Sequence, residues 1–411
     1  MQTLEKSKPI KVLLDGSIVS PKGFAAAGIH AGLRYSKNDL GVIFSEVPAE
    51  SAAVYTTSHF QAAPIKVTQD SLAVENKLQA ILVNSACANA CTGKRGLADA
   101  YQTREWLAEH LNIPEHYVAV SSTGVIGEYL NMEKMEQGIK NLHPKAEAAD
   151  AEQFESAILT TDLATKRWAV EATIEGKTVT MGGAAKGSGM IHPNMATMLA
   201  YVTTDACISS EHLHTALKEV TDQTFNQITV DGDTSTNDTV VVMANGLAGH
   251  SPLSPQHPEW ATFVSMLKEV SEQLAKKIAR DGEGATKLIE VKVNGAVSDE
   301  EAQRAAKEVV GSSLVKTAVF GADANWGRII GAIGYSPIEV NPETIDIAVG
   351  NHLILSQSEV ADYSEEELTA YLKDEEEIKI TVHLNIGEGS GTAWGCDLSY
   401  DYVKINASYR T

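Results

Sequence analysis

Fifteen residues, Lys186-Gly187-Ser188-Gly189-Met190-Ile191-His192-Pro193-Asn194-Met195-Ala196-Thr197-Met198-Leu199-Ala200, constrain this chain more than any other stretch. Gly182, Gly183, Ala184 and Ala185 lead into it, and an apolar, strand-like run from Met198 to Val202 leaves it. Side chains this small let backbone come close to something, because glycine has no Cβ in the way. Within the stretch a lone cation, Lys186, precedes a β-branched hydroxyl, Thr197. A threonine at the entrance to a buried strand has two readings. It is a core residue with a satisfied hydroxyl, or it is a nucleophile. The second requires cleavage of the Ala196–Thr197 bond: Thr197 Oγ attacks the Ala196 carbonyl, and the resulting ester hydrolyses. The new N-terminal threonine then carries a hydroxyl and, on the same residue, an α-amine that titrates near neutrality.

A chain of 411 residues has room for two or three domains and a large core. Its 54 acidic residues against 33 basic ones give a formal charge of −21. Nucleic acid and anionic membrane surfaces both call for a basic patch, so neither is expected as a partner. No apolar run has the length of a membrane span. The segment Met1–Pro9 lacks the apolar core of a signal peptide, so a cytoplasmic location is expected. Cys87, Cys91, Cys207 and Cys396 show neither C-x-x-C spacing nor a disulfide framework. Cys87 and Cys91 sit one helical turn apart, but with no second Cys/His pair nearby they read as buried small residues, and no metal site is expected.

Along the chain, Val12–Leu14, Gly41–Phe44, Ala52–Thr57 and Leu78–Val83 read as strands. A helix follows from about Leu97 to Leu111, closed by Pro114. Tyr117–Val120 then delivers a Ser121-Ser122-Thr123-Gly124 turn, which is either a plain turn or a set of N–H groups aimed at an anion. Met132, Met135, Ile139 and Leu142 mark an amphipathic helix, and Glu175-Gly176 a hairpin. Another helix carries Leu213, Ala216, Leu217 and Val220. The acidic turn Asp231–Asp238 fails the calcium-loop template, with Thr236 and Val242 where glycine and glutamate belong, and reads as a self-hydrogen-bonded turn between strands. Trp260, Phe263, Leu267, Val270, Leu274 and Ile278 mark the longest helix, which stops at Asp281-Gly282-Glu283-Gly284. Beyond it the pattern is strand (288–293), helix (298–310) and strand (314–320). Capping boxes stand at Ser298/Glu301 and Ser364/Glu367, and strand alternation runs from Ile378 to Ile386. These strands and helices predict a smaller α/β domain over 286–411, after a first domain over 1–285. The tail from Leu398 alternates like a strand and carries no charged run, so it is expected to dock.

Several standard catalytic signatures are missing. The phosphate loop G-x-x-x-x-G-K-[ST], H-E-x-x-H and G-x-S-x-G do not occur, and Gly187-Ser188-Gly189 continues to His192 where a dinucleotide fingerprint needs its third glycine.

The combination of stretches resembles the ornithine acetyltransferase (glutamate N-acetyltransferase) family of arginine biosynthesis. The resemblance rests on Lys186–Ile191, Pro193–Leu199, Ser122–Gly127, Thr160-Thr161-Asp162, Thr229–Asp238 and Asn406–Thr411, in family order across nearly the whole chain. It implies an α/β fold of N-terminal-nucleophile type, an αββα sandwich with a smaller C-terminal α/β domain. It implies self-cleavage at Ala196–Thr197 into an α chain (1–196) and a β chain (from 197) that remain together as α2β2. Thr197 would take the acetyl group of N2-acetylornithine, and glutamate would accept it in a ping-pong cycle. Thr123 and Gly124 match the family's oxyanion hole; Thr160, Lys186, Thr197, Glu283, Asn406 and Thr411 match its substrate contacts. No cofactor is implied, although acetyl-CoA is a conceivable second acetyl donor. Ala86-Cys87 departs from the family's Gly-Asn in the loop Asn84–Gly93. Two other functions fit parts of the pattern: a self-processing amidase or aminopeptidase that passes the acyl group to water, and a metabolite-binding protein with a structural Thr197.

Overall fold

The structure is a computed structural model that describes residues 8–192 and 198–408. The chain opens with β1 (Lys11–Val12), β2 (Phe24–Ile29) and β3 (Leu40–Tyr55). Next come α1 (Ala63–Glu75), β4 (Lys77–Asn84), α2 (Gly93–Leu111), β5 (Val118–Ser122), α3 (Met132–Lys140) and α4 (Ala148–Ala157). The hairpin β6 (Lys166–Ile174) and β7 (Lys177–Lys186) precedes β8 (Leu199–Thr204), α5 (Ser210–Gln223), β9 (Ile228–Thr229), β10 (Thr239–Ala244) and α6 (Trp260–Arg280). Nine of these strands form one sheet in the order β1-β6-β7-β8-β10-β3-β4-β5, with β2 also on β3.

β3 is long enough to serve two layers. Its first residues pair with β2 and β4, the β4 register shifts between Phe44 and Ala49, and its last six residues pair with β10. Alternation along strands then sorts the core. Val42, Leu82, Val118 and Val120 pack under α2 and α3. Ala52, Val54, Val202 and Val242 pack under α5 and α6. Between the two halves, Ile43, Ile81 and Val83 meet Tyr201, Val241 and Met243, with Phe154 of α4 edge-on to Tyr201 at 5.9 Å. Helix, strand, strand, helix: this is the αββα layering expected from the resemblance.

The second sheet gathers the C-terminal elements. These are β11 (Leu288–Ala296), α7 (Asp299–Gly311), α8 (Ser313–Phe320), α9 (Trp326–Tyr335), β12 (Asp346–Val349), β13 (His352–Ser356), β14 (Glu359–Val360), α10 (Glu365–Asp374), β15 (Glu377–His383), β16 (Gly389–Cys396) and α11 (Tyr400–Ser408). Their core joins Ile378, Ile380 and Val382 to Val291, Val293 and the α7 face of Ala302, Ala306 and Val309. Both expected capping boxes start helices, with Ser298 accepting from the Glu301 N–H and Ser364 from the Glu367 N–H. β9 pairs with β16 of this sheet, whereas β10 pairs with β8 and β3 of the other. Residues 230–238 therefore cross from one sheet to the other, and the candidate site forms around that crossing.

Two expectations of secondary structure need correction. Residues 314–320, read as a strand, form α8. The β-branched residues suggested extension, but Ser312 caps a helix whose Val315 and Val319, four apart, face the core. Lys316 donates from the same helix to the Val230 and Cys396 carbonyls, at 2.7 and 2.6 Å. The tail, also read as a strand, is helical over its described residues Tyr400–Ser408, which form α11. Tyr402 and Asn406, again four apart, reach the cavity described below.

Candidate active site

A cavity of about 250 Å³ lies where the two sheets meet. Thr123, Gly124, Thr160, Lys186, Glu283 and Asn406, six positions singled out from the sequence, all line it. Ala196, Thr197 and Thr411 lie outside the described residues. Ile191 and Met198, one before the undescribed stretch and one just after it, line the cavity as well.

Thr123 and Gly124 follow directly from buried β5. Gly124 has φ +122°, and a Cβ there would lie 2.5 Å from the Ala86 carbonyl, so only glycine fits. The N–H groups on either side are used: Thr123 donates to the Asn84 carbonyl at 2.9 Å and Val125 to the Ala86 carbonyl at 3.3 Å. Among the described residues no partner takes the Gly124 N–H. Lys186 Nζ donates to Thr123 Oγ1 at 3.1 Å, which leaves the hydroxyl hydrogen free to point elsewhere. Two donors thus stand side by side at the cavity wall.

Lys186 is buried at the end of β7. Burial lowers its pKa, Asp162 raises it, Lys166 lowers it again, and Asp238 and Glu283 favour the charged form. Beneath it lies a charge network. Asp162 accepts from Lys166 Nζ at 2.6 Å and from the Gly187 N–H at 2.7 Å, and Lys166 also donates to Asp281 at 2.6 Å. Burial alone would push the Asp162 carboxyl up; the Lys166 and Lys186 ammonium groups outweigh it and hold the acid well below the usual range. Asp162 also accepts from the Thr160 N–H at 3.0 Å, while Arg34 donates to the Leu159 and Thr160 carbonyls at 2.6 and 3.2 Å.

Across the cavity, Glu283 is held by its own N–H, which donates to the Ser188 carbonyl at 3.0 Å. Its Oε2 accepts from Asn406 Nδ2 at 2.8 Å. A Cβ on Gly189 would lie 2.4 Å from the Glu283 carboxyl carbon, so Gly189 makes room for that acid. A buried cation and a buried anion therefore face one cavity.

The 230–238 crossing supplies the remaining wall. Asp231 accepts from two consecutive N–H groups, Met190 at 2.6 Å and Ile191 at 2.9 Å. Thr234 Oγ1 donates to the His192 carbonyl at 3.0 Å, and the Val230 N–H to the Ile191 carbonyl at 2.7 Å. On the far side, the Thr239 N–H donates to the Met198 carbonyl at 2.9 Å. The crossing and the first residue of β10 together hold both flanks of residues 193–197. Asp238, buried with Oδ2 unpartnered among the described residues, has its pKa raised by burial against the opposing Ser235 and Lys186. The acidic turn thus shapes the pocket through hydrogen bonds. Among the described residues no cluster of His, Cys, Asp or Glu could hold a metal ion.

Sequence reasoning missed Arg34, Lys166, Asn237 and Tyr402. Arg34 and Lys166 act from outside the small-residue stretches, and only folding brings them underneath. The Asn84–Gly93 loop also gains a place: it backs the Thr123-Gly124 turn through the Asn84 and Ala86 carbonyls, so the Ala86-Cys87 departure leaves those backbone contacts in place. Cys87 is buried, as expected, and donates to the Glu128 carbonyl at 2.9 Å, but the same expectation is corrected for Cys91, which is exposed. No helix among the described residues is long and apolar enough to cross a membrane.

Residues 25–411 match the family model described as the ArgJ family. The chain is 65% identical over 411 residues to the arginine biosynthesis bifunctional protein ArgJ of Geobacillus kaustophilus, covering 100% of both chains. It is 64% identical to the protein of the same name from Geobacillus stearothermophilus, again over 100% of both. Among solved structures, a chain of ArgJ from Bacillus halodurans matches with a TM-score of 0.51 and 65% identity, covering 52% of this chain and 100% of its own.

Proposed function

Because the chain belongs to the ArgJ family and is an acetyltransferase of arginine biosynthesis that moves acetyl from N2-acetylornithine to glutamate, we propose that it works through an acetyl-Thr197 enzyme. Cleavage of Ala196–Thr197 frees the Thr197 α-amine. That amine, with an ordinary pKa of about 7.7–8.0, takes the Oγ proton as Oγ attacks the acetyl carbonyl. The oxyanion forms between the Gly124 N–H and the Thr123 hydroxyl. Donors of this kind are each worth about 2.7–4 kcal/mol in the transition state. Collapse breaks the amide bond, and the departing α-nitrogen of ornithine takes the proton from the Thr197 ammonium. Glutamate then attacks the ester through its neutral α-amine, and the steps reverse to release N-acetylglutamate and restore the hydroxyl.

Lys186 and Glu283 supply opposite charges for substrates that carry a carboxylate and, in ornithine's case, a side-chain ammonium. Lys186 meets the carboxylate, Glu283 the ammonium, with Thr160, Asn406 and Thr411 as further contacts. The observation that carries this reading is the convergence of six positions, from five separate stretches of chain, on one cavity. Self-cleavage has its own support. Residues 197–411 make up about 52% of the chain, the share that the Bacillus halodurans crystal chain covers. We propose further that the two pieces assemble as α2β2 in the cytoplasm, and that acetyl-CoA serves as a second donor, in keeping with the bifunctional name of the relatives.

The test is to incubate purified protein with glutamate and either acetylornithine or acetyl-CoA, following N-acetylglutamate and free acetate. A denaturing gel reads cleavage in parallel. Thr197→Ala is expected to give one full-length band and no transfer. Transfer by an uncleaved chain would overturn the reading, and acetate in place of N-acetylglutamate would favour an amidase.

A further inference from the structure

The geometry points to Asn237 as a positioning residue for the oxyanion turn, a single side-chain amide that sets where the Gly124 N–H and the Thr123 hydroxyl point. This rests on the proposed role of that turn. Asn237 is 7% exposed, and its Nδ2 spends both hydrogens on two different segments: the Ala88 carbonyl at 2.6 Å and the Ser122 carbonyl at 2.8 Å. Its Oδ1 accepts from Thr236 Oγ1 at 2.6 Å. The amide can sit only one way round, because the reverse would set Oδ1 against two carbonyl oxygens.

The two carbonyls it grips determine the turn. Ser122 directly precedes Thr123, and its hydroxyl is held in addition by Asn84 Nδ2 at 2.6 Å. Ala88 sits in the segment that cages the turn from behind, and its N–H donates to the Val125 carbonyl at 3.0 Å. Asn237 thereby ties β5, the caging loop and the 230–238 crossing into one frame, with the unclaimed Gly124 N–H at its centre. An oxyanion donor must lie about 2.7–3.1 Å from where the charge develops, so a small tilt of this frame weakens the transition state more than substrate binding.

Two substitutions test this. Asn237→Asp keeps the shape but replaces both donors with an acceptor; Asn237→Ser removes the donors without adding charge. Rates are taken per processed chain, read from a denaturing gel. Both variants are expected to lower kcat by about 10- to 100-fold while each KM stays within about threefold. Acetylation by acetylornithine and deacetylation by glutamate should slow in the same proportion, since both pass through an oxyanion at this turn. Adding Asn237→Ser to Thr123→Ala should cost less than about threefold more, because the two act through one unit. A kcat within about twofold of wild type in Asn237→Ser would overturn the inference. So would KM changes as large as those in kcat, or fully multiplicative losses in the double variant. If Thr123→Ala slows transfer and the Asn237 variants do not, only the role of Asn237 falls. If Thr123→Ala leaves kcat unchanged, the oxyanion reading falls and takes this inference with it.

Discussion

Replacing Glu283 by Gln tests the charge pairing at the site with almost no change in shape. The carboxylate is 6% exposed and accepts from Asn406, and Gly189 leaves it the room it occupies. A glutamine fills the same space and can still accept from Asn406, so the variant removes charge and little else. Hydrogen bonds to charged groups contribute about 1.5–3 kcal/mol, against about 0.5–1.5 for neutral ones. If an ammonium docks on Glu283, the variant loses about 1–2 kcal/mol of binding, or roughly 5- to 30-fold in Kd. Isothermal titration with ornithine and the KM for acetylornithine read this directly. A second readout follows from Lys186. Glu283 is one of the charges that raise its pKa against burial, so removing that charge lets the pKa fall further. If activity needs Lys186 charged, the alkaline limb of kcat/KM should move to lower pH in Glu283→Gln. Unchanged KM values for acetylornithine and glutamate, together with an unmoved alkaline limb, would refute the pairing.

Two further predictions concern maturation and stability. Asp231→Asn breaks the two-pronged grip on the Met190 and Ile191 N–H groups, which use different carboxylate oxygens, so self-cleavage should slow by about tenfold or more as one charge-assisted bond is lost and the other becomes weaker; accumulation of full-length chain on a time-resolved gel measures it. Glu155, buried with both oxygens lacking hydrogen bonds among the described residues and Arg167 at 3.5 Å, has its pKa pushed up by burial to about 7 from 4.5. A raised folded-state pKa means that stability is fully present below about pH 4.5 and is lost as pH rises through about 7, by up to about 3 kcal/mol. Glu155→Gln should abolish that loss, so its urea midpoint should gain on wild type at pH 8 relative to pH 5; an equal difference at both pH values would count against it.

Much of this arrangement was legible because periodicity survives folding where one face is buried. The stripe from Trp260 to Ile278 became α6, and of the alternation from Ile378 to Ile386 the part up to His383 became β15. α8 differs from its expected strand because Val315 and Val319 satisfy a helix face as well as they suggest extension, and the Ser312 cap decides for the helix. α4 went unread since its Ala-rich sequence buries only a few scattered side chains, Phe154 foremost, and nothing local announces that Phe154 will meet Tyr201. At the site, six of the groups that line the cavity stand in motifs, whereas Tyr402 and Asn237, which also line it, carry no separate signal. Arg34 and Lys166 stand in no motif, and the role of Asn237 within Thr229–Asp238 is not readable locally, since these side chains find partners more than a hundred residues away: Arg34 reaches the Thr160 carbonyl, Lys166 reaches Asp281 and Asn237 reaches Ser122.

The register between β7 and β8 has one more consequence. Lys186 and Leu199 are direct partners across that antiparallel pair, so the chain leaves the sheet and re-enters it at the neighbouring position. That pair ends the ladder, so opening the chain anywhere between Lys186 and Leu199 unpairs no ladder bond between the two strands. β8 stays clasped by β7 from the earlier part of the chain and by β10 from the later part. β10 in turn lies on β3, and β9 carries the second sheet's edge. A cut in this loop would thus leave two fragments laced strand by strand through a common sheet, held as one body by pairing that formed while the chain was whole.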